Sequence, residues 1–208
     1  MPASSANTSA TGGPLAPTSA PPIDDLDLDT AIGGLVAGVT GLPGDLVRPR
    51  WQPTQPRIPE IDTTWVAVGV TGTMPDDTPA QIHHPDGAGY TVLRTVYRLD
   101  ILASFYGPRS DAYAKLLRDG FYVAQNREAM RALGLNLIGF DTIRRVPEIV
   151  AAQSRRRSDL SFRLTQTIER TYPIQNVLQT IGAIQATAGN VAGPTQILAP
   201  IASPLPPA

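Results

Sequence analysis

Two long stretches of strict alternation organise this chain. Between Tyr90 and Phe105, the residues Leu93, Thr95, Tyr97, Leu99, Ile101, Ala103 and Phe105 share one face, and Arg94, Arg98, Asp100 and Ser104 share the other. Between Ser158 and Tyr172, Leu160, Phe162, Leu164 and Ile168 alternate with Arg163, Thr165, Thr167 and Glu169. Successive strand side chains point to opposite sides, so each stretch predicts a strand with one buried and one wetter face. Thr64 to Thr71, with Trp65, Val66, Val68 and Val70, predicts a third strand rich in β-formers. Leu135 to Val146 predicts a fourth of imperfect period, bulged at Gly139.

Helical spacing appears in three places. Leu28, Ile32, Leu35, Val36 and Val39 fall on one face of a helix over about Asp24 to Thr40. Its clustered aspartates suit the positive end of the helix dipole, and Gly41-Leu42-Pro43-Gly44 stops it. After the break at Gly107-Pro108, Ser110 or Asp111 is expected to cap a helix whose stripe is Tyr113, Leu116, Leu117, Gly120 and Phe121. Asn126 is expected to cap a shorter helix that ends at Gly134. The prolines of Arg48 to Pro59 predict an extended surface crossing, Met74 to Gly89 a polar loop, and Glu148 to Arg157 a turn or hairpin tip. The order implies an α+β domain: a mostly antiparallel sheet of about four strands, helices packed on one face, and extended N- and C-terminal arms.

Composition adds the arms. Residues 1–23 are dominated by Ser, Thr, Ala, Gly and Pro and read as a flexible or partner-ordered arm. Residues 24–174 form the body. Residues 175–208 carry no charged side chain and read as a second arm, helical over Val177 to Ile184 and extended from Pro200 to Ala208. No signal peptide is recognisable at the N-terminus, and no run approaches the roughly 18 apolar residues of a membrane span, so a soluble protein is expected.

Net charge is −1, which gives no global attraction to nucleic acid or anionic lipid. The distribution is uneven. Residues 1–47 hold five aspartates and no basic residue, whereas Thr142 to Arg163 holds six arginines against Glu148 and Asp159. Lys115 is the one lysine among 17 basic residues. Arginine's rigid fork suits paired and interface contacts better than a mobile ammonium does, although a genome rich in G and C would produce the same bias.

Catalytic and cofactor chemistry find no support. The chain has no cysteine, no nucleophile elbow and no phosphate-binding glycine loop. Its two histidines lie in His83-His84-Pro85-Asp86, which lacks a third imidazole and reads as an exposed loop rather than a metal site. No enzyme activity, cofactor or metal is expected. What remains is a set of candidate interface or lumen residues: Arg48, Arg50, Trp51, Arg144, Arg145, Arg155, Arg156 and Arg157. A hairpin would gather the last five at one end of the sheet. There they could meet a phosphate backbone, an acidic surface such as Asp24–Asp29 of a neighbouring copy, or only water. Trp51, amid prolines, reads as an anchor of its segment or as an interface residue.

An ordered set of short motifs runs through this body. They include Gly41-Leu42-Pro43-Gly44-Asp45-Leu46-Val47-Arg48-Pro49-Arg50-Trp51, Trp65-Val66-Ala67-Val68-Gly69-Val70, Phe105-Tyr106-Gly107-Pro108, Leu117-Arg118-Asp119-Gly120, Ile143-Arg144-Arg145-Val146-Pro147-Glu148 and Glu169-Arg170-Thr171-Tyr172-Pro173. Over about residues 28–174 the chain resembles the neck or tail terminator proteins of tailed bacteriophages. The resemblance implies a structural virion protein, a homo-oligomeric ring (hexameric) that ends the tail tube and joins tail to head, with DNA in its lumen. It further implies other copies of itself, the tail tube protein and neck or head–tail connector proteins as partners, and a sheath if the tail is contractile. Assembly would occur in the host cytoplasm, without a membrane. The rival readings are a head-completion or connector adaptor and a DNA-binding accessory protein.

Overall fold

The structure, a computed structural model, describes residues 7–176 apart from 53, 55, 147, 151 and 152. The expected helix over Val177 to Ile184 and the extended Pro200 to Ala208 lie outside the described residues. In chain order the elements are α1 (Asp25–Thr40), a short 3-10 turn (Gly44–Leu46), β1 (Val47–Pro49), β2 (Trp65–Pro75), β3 (Ala80–His84), β4 (Tyr90–Tyr106), α2 (Ser110–Gly120), α3 (Ala124–Ala132), β5 (Leu135–Phe140), β6 (Arg144–Arg145), β7 (Glu148–Val150), β8 (Gln153–Arg155) and β9 (Arg157–Tyr172).

The fold is α+β, and the main sheet has seven strands rather than about four. Its spine is the order β1-β2-β4-β9-β5. Only β1 pairs in parallel, with β2; every other pair is antiparallel. β4 and β9 run side by side without a register shift, from Thr91 opposite Tyr172 to Tyr106 opposite Arg157. β2 and β3 share the other edge of β4. β6 and β5 share the outer edge of β9, and farther along that edge the N-terminal segment continues it: the Thr18 amide donates to the Thr171 carbonyl at 2.8 Å and Ser9 to Pro173 at 3.1 Å. β7 and β8 form a separate hairpin.

Three expectations are corrected here. Met74–Gly89 is a loop only over residues 76–79 and 85–89: β2 extends to Pro75, and Ala80–His84 is a strand with almost every residue exposed. Such a strand has no buried face, so it leaves no alternation to read. Neither Ser110 nor Asp111 caps α2; Arg109 precedes it, and Ser110 is buried inside the first turn, where it meets Ser158. Asn126 is not a cap either. It sits within α3 and donates to the Gly120 carbonyl at 2.8 Å, joining the two helices.

One face of the sheet is covered by the helices. Ile32 and Val36 of α1, Leu117 of α2, Phe121 and Met130 pack on Leu99, Ile101, Phe105, Leu160, Phe162 and Leu164. These are the inward residues of the two alternating stretches. Leu116, assigned to the α2 stripe, is 46% exposed, and Ala114 takes its place in the core. Phe121, Phe140 and Phe162 form an aromatic cluster, with Phe121 edge-on to Phe162 at 5.5 Å. The predicted bulge is present: the register of β5 on β9 shifts between Leu137 and Gly139. A second irregularity lies in β2 between Val70 and Gly72, where the buried Asp29 carboxylate of α1 accepts the Val70 amide at 3.0 Å.

Gly107 ends β4 at φ 97°, and a Cβ there would press into the Thr63 carbonyl and the Thr64 backbone. Replacing it combines a conformation that L-residues avoid with a collision against main chain. We expect Gly107→Ala to cost at least about 2 kcal/mol. Gly34→Ala, in open space on α1, should stabilise by about 0.5–1 kcal/mol. Urea unfolding midpoints at constant slope test both, and equal midpoints would refute the account.

Candidate functional site

The strand period divides the arginines that the sequence placed together. Within β8–β9, Arg155 is only 6% exposed, with its Nη2 3.4 Å from the Pro59 carbonyl and its Nε unpartnered among the described residues. Arg156 is exposed and Arg157 half-buried, on the sheet face that carries no helix. Arg144 and Arg145 lie in β6, opposite Asp159 and Ser158, so they do reach the same end of β9 as Arg156 and Arg157. Arg145 forks onto Asp111 at 3.1 and 3.3 Å, and Lys115 joins the same carboxylate at 2.7 Å. Their hydrogen bonds, Lys115 first, hold the Asp111 carboxyl below its ordinary range. Arg145, Arg156, Arg157 and the first residues of α2 line a cavity of about 410 Å³ there.

A second set forms around the helix-free face. The register puts Trp65, Tyr106 and Arg157 in one row across β2, β4 and β9. Trp65 stacks on Tyr106 at 4.3 Å, nearly parallel. Arg157 lies over Tyr106 at 5.5 Å and Arg48 over Trp65 at 5.5 Å, so the row alternates cation, ring, ring, cation. Arg157 is also forked onto Asp159 at 2.8 and 2.9 Å, which raises its pKa. Arg48 donates to the Asp45 and Arg57 carbonyls, and Arg50 to the Ser104 hydroxyl at 2.6 Å. Neither has a carboxylate partner among the described residues. Burial lowers the pKa of Arg50, with the nearby charge of Arg157 adding to the effect and Tyr106 and Asp159 opposing it. Trp65 Nε1 and Arg50 Nε are shielded from water and have no acceptor among the described residues.

Trp51 stands apart from this set. Its indole donates to the Val70 carbonyl at 2.9 Å, yet the side chain is 59% exposed. It borders a cavity of about 410 Å³ on the helix side of the sheet, with Asp24, Asp25, Asp29 and Arg170. Trp65, Tyr106, Ser104 and Asp159 went unrecognised in the sequence. Trp65 and Tyr106 each end an alternating strand, and only the β2–β4 register reveals that they meet.

The histidines lie in β3, where adjacent side chains point to opposite sides. His83 bonds Thr91 Oγ1 at 3.0 Å and Asn176 Oδ1 at 2.8 Å, and His84 stacks on Tyr90. Among the described residues no three metal-ligating side chains come together, and no helix is long and apolar enough to cross a membrane.

Residues 26–190 match the family described as phage neck terminator protein. The chain belongs to that family. No curated protein matches it. This neck terminator is thus a structural protein of the phage neck, and the virion is where it acts. The match spans α1 through β9 and therefore both arginine sets.

The Asp111 network gives a pH test. Because the folded carboxyl titrates below its ordinary value, its contribution is complete above the ordinary carboxylate range and is lost as pH falls through the depressed pKa. The ion pairs are largely exposed, so Asp111→Asn should cost less than about 1 kcal/mol at pH 7 and low salt. Thermal melts of both proteins should converge in acid and in high salt. A gap that persists in acid would show that Asp111 acts by packing instead.

Proposed function

We propose that this neck terminator assembles into a closed ring, a hexamer, that caps the finished tail tube and joins the tail to the head connector, with DNA passing through the lumen. The family match over residues 26–190 carries this reading. The helix-free sheet face supports it. Arg48 and Arg50 on it have no carboxylate partner among the described residues, and a neighbouring molecule could supply one. The partners are other copies of the chain, the tail tube protein and the neck connector proteins, with a sheath if the tail is contractile. Segments 1–23 and 175–208 act as arms, the first lying along the edge of its own β9 through Ser9 and Thr18 and the second ordering against neighbours. For the C-terminal arm the cut belongs after Asn176, whose side chain donates to the Pro85 and Gly87 carbonyls.

Negative-stain images of the purified protein should show closed rings of one diameter. Adding those rings to polymerising tube protein should arrest growth and leave one end capped. Tubes that elongate to the same lengths with and without the protein would overturn the terminator role. Rings that bind the portal-side connector and ignore tubes would identify an adaptor ring instead.

A further inference from the structure

We infer that successive copies in the ring meet head to tail, the basic groove on the helix-free face of one copy receiving the acidic start of α1 from the next. This rests on the ring reading above.

The groove, about 370 Å³, is lined by Arg48, Arg50, Ile58, Trp65, Ala67 and Tyr106 among others. Its floor is aromatic and its edge bears two guanidiniums with no carboxylate partner among the described residues. Arg157 beside it is already matched by Asp159. Farther along the same face Arg163 is matched by Asp141 at 3.0 Å. Arg98 and Arg144 on this face also have no carboxylate partner among the described residues, but of the unmatched guanidiniums only Arg48 and Arg50 line the groove. An incoming carboxylate beside an apolar side chain fits such a groove.

This chain carries that combination on its opposite side. Asp24, Asp25 and Asp27 are exposed at the start of α1, and Leu26 between them is 59% exposed, with Ile23 41% exposed just before. Asp29 is occupied by the Val70 amide and belongs to the fold. Arg170, across the adjoining cavity, is the one cation lining it among the described residues. The acidic start lies on the helix-covered side of the sheet, and the groove lies on the other. A contact between them uses two different patches, so it is heterologous, the kind of contact that closes a ring when its rotation divides a full turn. Duplex DNA in the groove would also supply acceptors. It would leave Leu26 and its flanking aspartates without a counterpart, which favours a second copy.

The test reverses each surface. Arg48→Glu/Arg50→Glu and Asp24→Lys/Asp27→Lys, each checked for folding by circular dichroism, should raise the protein concentration needed for ring assembly roughly a hundredfold or more over wild type. A chain carrying all four substitutions should close rings again. An equimolar mixture of the two double variants should assemble by alternation, with equal numbers of each in native mass spectra. If Arg48→Glu/Arg50→Glu does not fold, Arg48→Gln/Arg50→Gln should still raise the assembly concentration about tenfold. Folded single-surface variants that close rings at the wild-type concentration would overturn the inference while leaving the ring intact. So would a four-substitution chain that folds and stays monomeric. Loss of duplex DNA binding by the arginine variant with unchanged rings would assign the groove to nucleic acid. Wild-type protein that forms no ring at all defeats the ring reading itself.

Discussion

The pairing of β4 with β9 is the constraint on which the rest of the structure depends. These strands of 17 and 16 residues stay in one register along their whole shared length. A slip of one residue would turn Leu99, Ile101, Phe105, Leu160, Phe162 and Leu164 out of the core and bring Arg98, Asp100, Asp159 and Arg163 in. That penalty fixes the two faces. The helices then have one surface to cover, and the polar surface is left for other contacts. The outer edges inherit the same register: β2 and β3 divide one side, while β5, β6 and the N-terminal segment divide the other.

Much of this was legible because alternation and helical spacing are local. β4, β9 and α1 follow from residue order alone, and Gly134 does close α3 in a left-handed turn. What was lost had no local signal. β3 is exposed almost throughout, so it has no apolar face, and its flanking prolines mark a loop equally well. Capping was misassigned because Ser110 and Asn126 bond to distant groups, Ser158 and the Gly120 carbonyl, in place of their own helix starts. In both cases tertiary partners outcompeted local ones.

The arginines show the same limit in a sharper form. Arg155, Arg156 and Arg157 are neighbours in sequence, yet one is buried, one exposed, and one laid on a tyrosine ring. Arg48 and Arg157 are far apart in sequence, yet they flank the same aromatic pair. Charge clustering along a chain thus says little about charge clustering in space once strands are involved. The informative quantity is the face each residue occupies, and only the sheet register supplies it.

A sheet that separates its charges across two faces has consequences for association. With a net charge of −1, two copies feel almost no overall repulsion at long range. Their mutual orientation is then governed by the uneven distribution. Like faces repel when they approach, and the basic groove attracts the acidic start of α1. Such fields raise encounter rates and suppress wrong pairings more than they add affinity. They also decay over about 8 Å at physiological ionic strength, so they act only at the last stage of approach. The final grip in the proposed contact has to come from short-range terms. Leu26 against the Trp65–Tyr106 stack supplies burial, and carboxylates on the guanidiniums of Arg48 and Arg50 supply charge-assisted hydrogen bonds. Orientation by charge and retention by packing are separate roles, and the sheet assigns them to the same two patches.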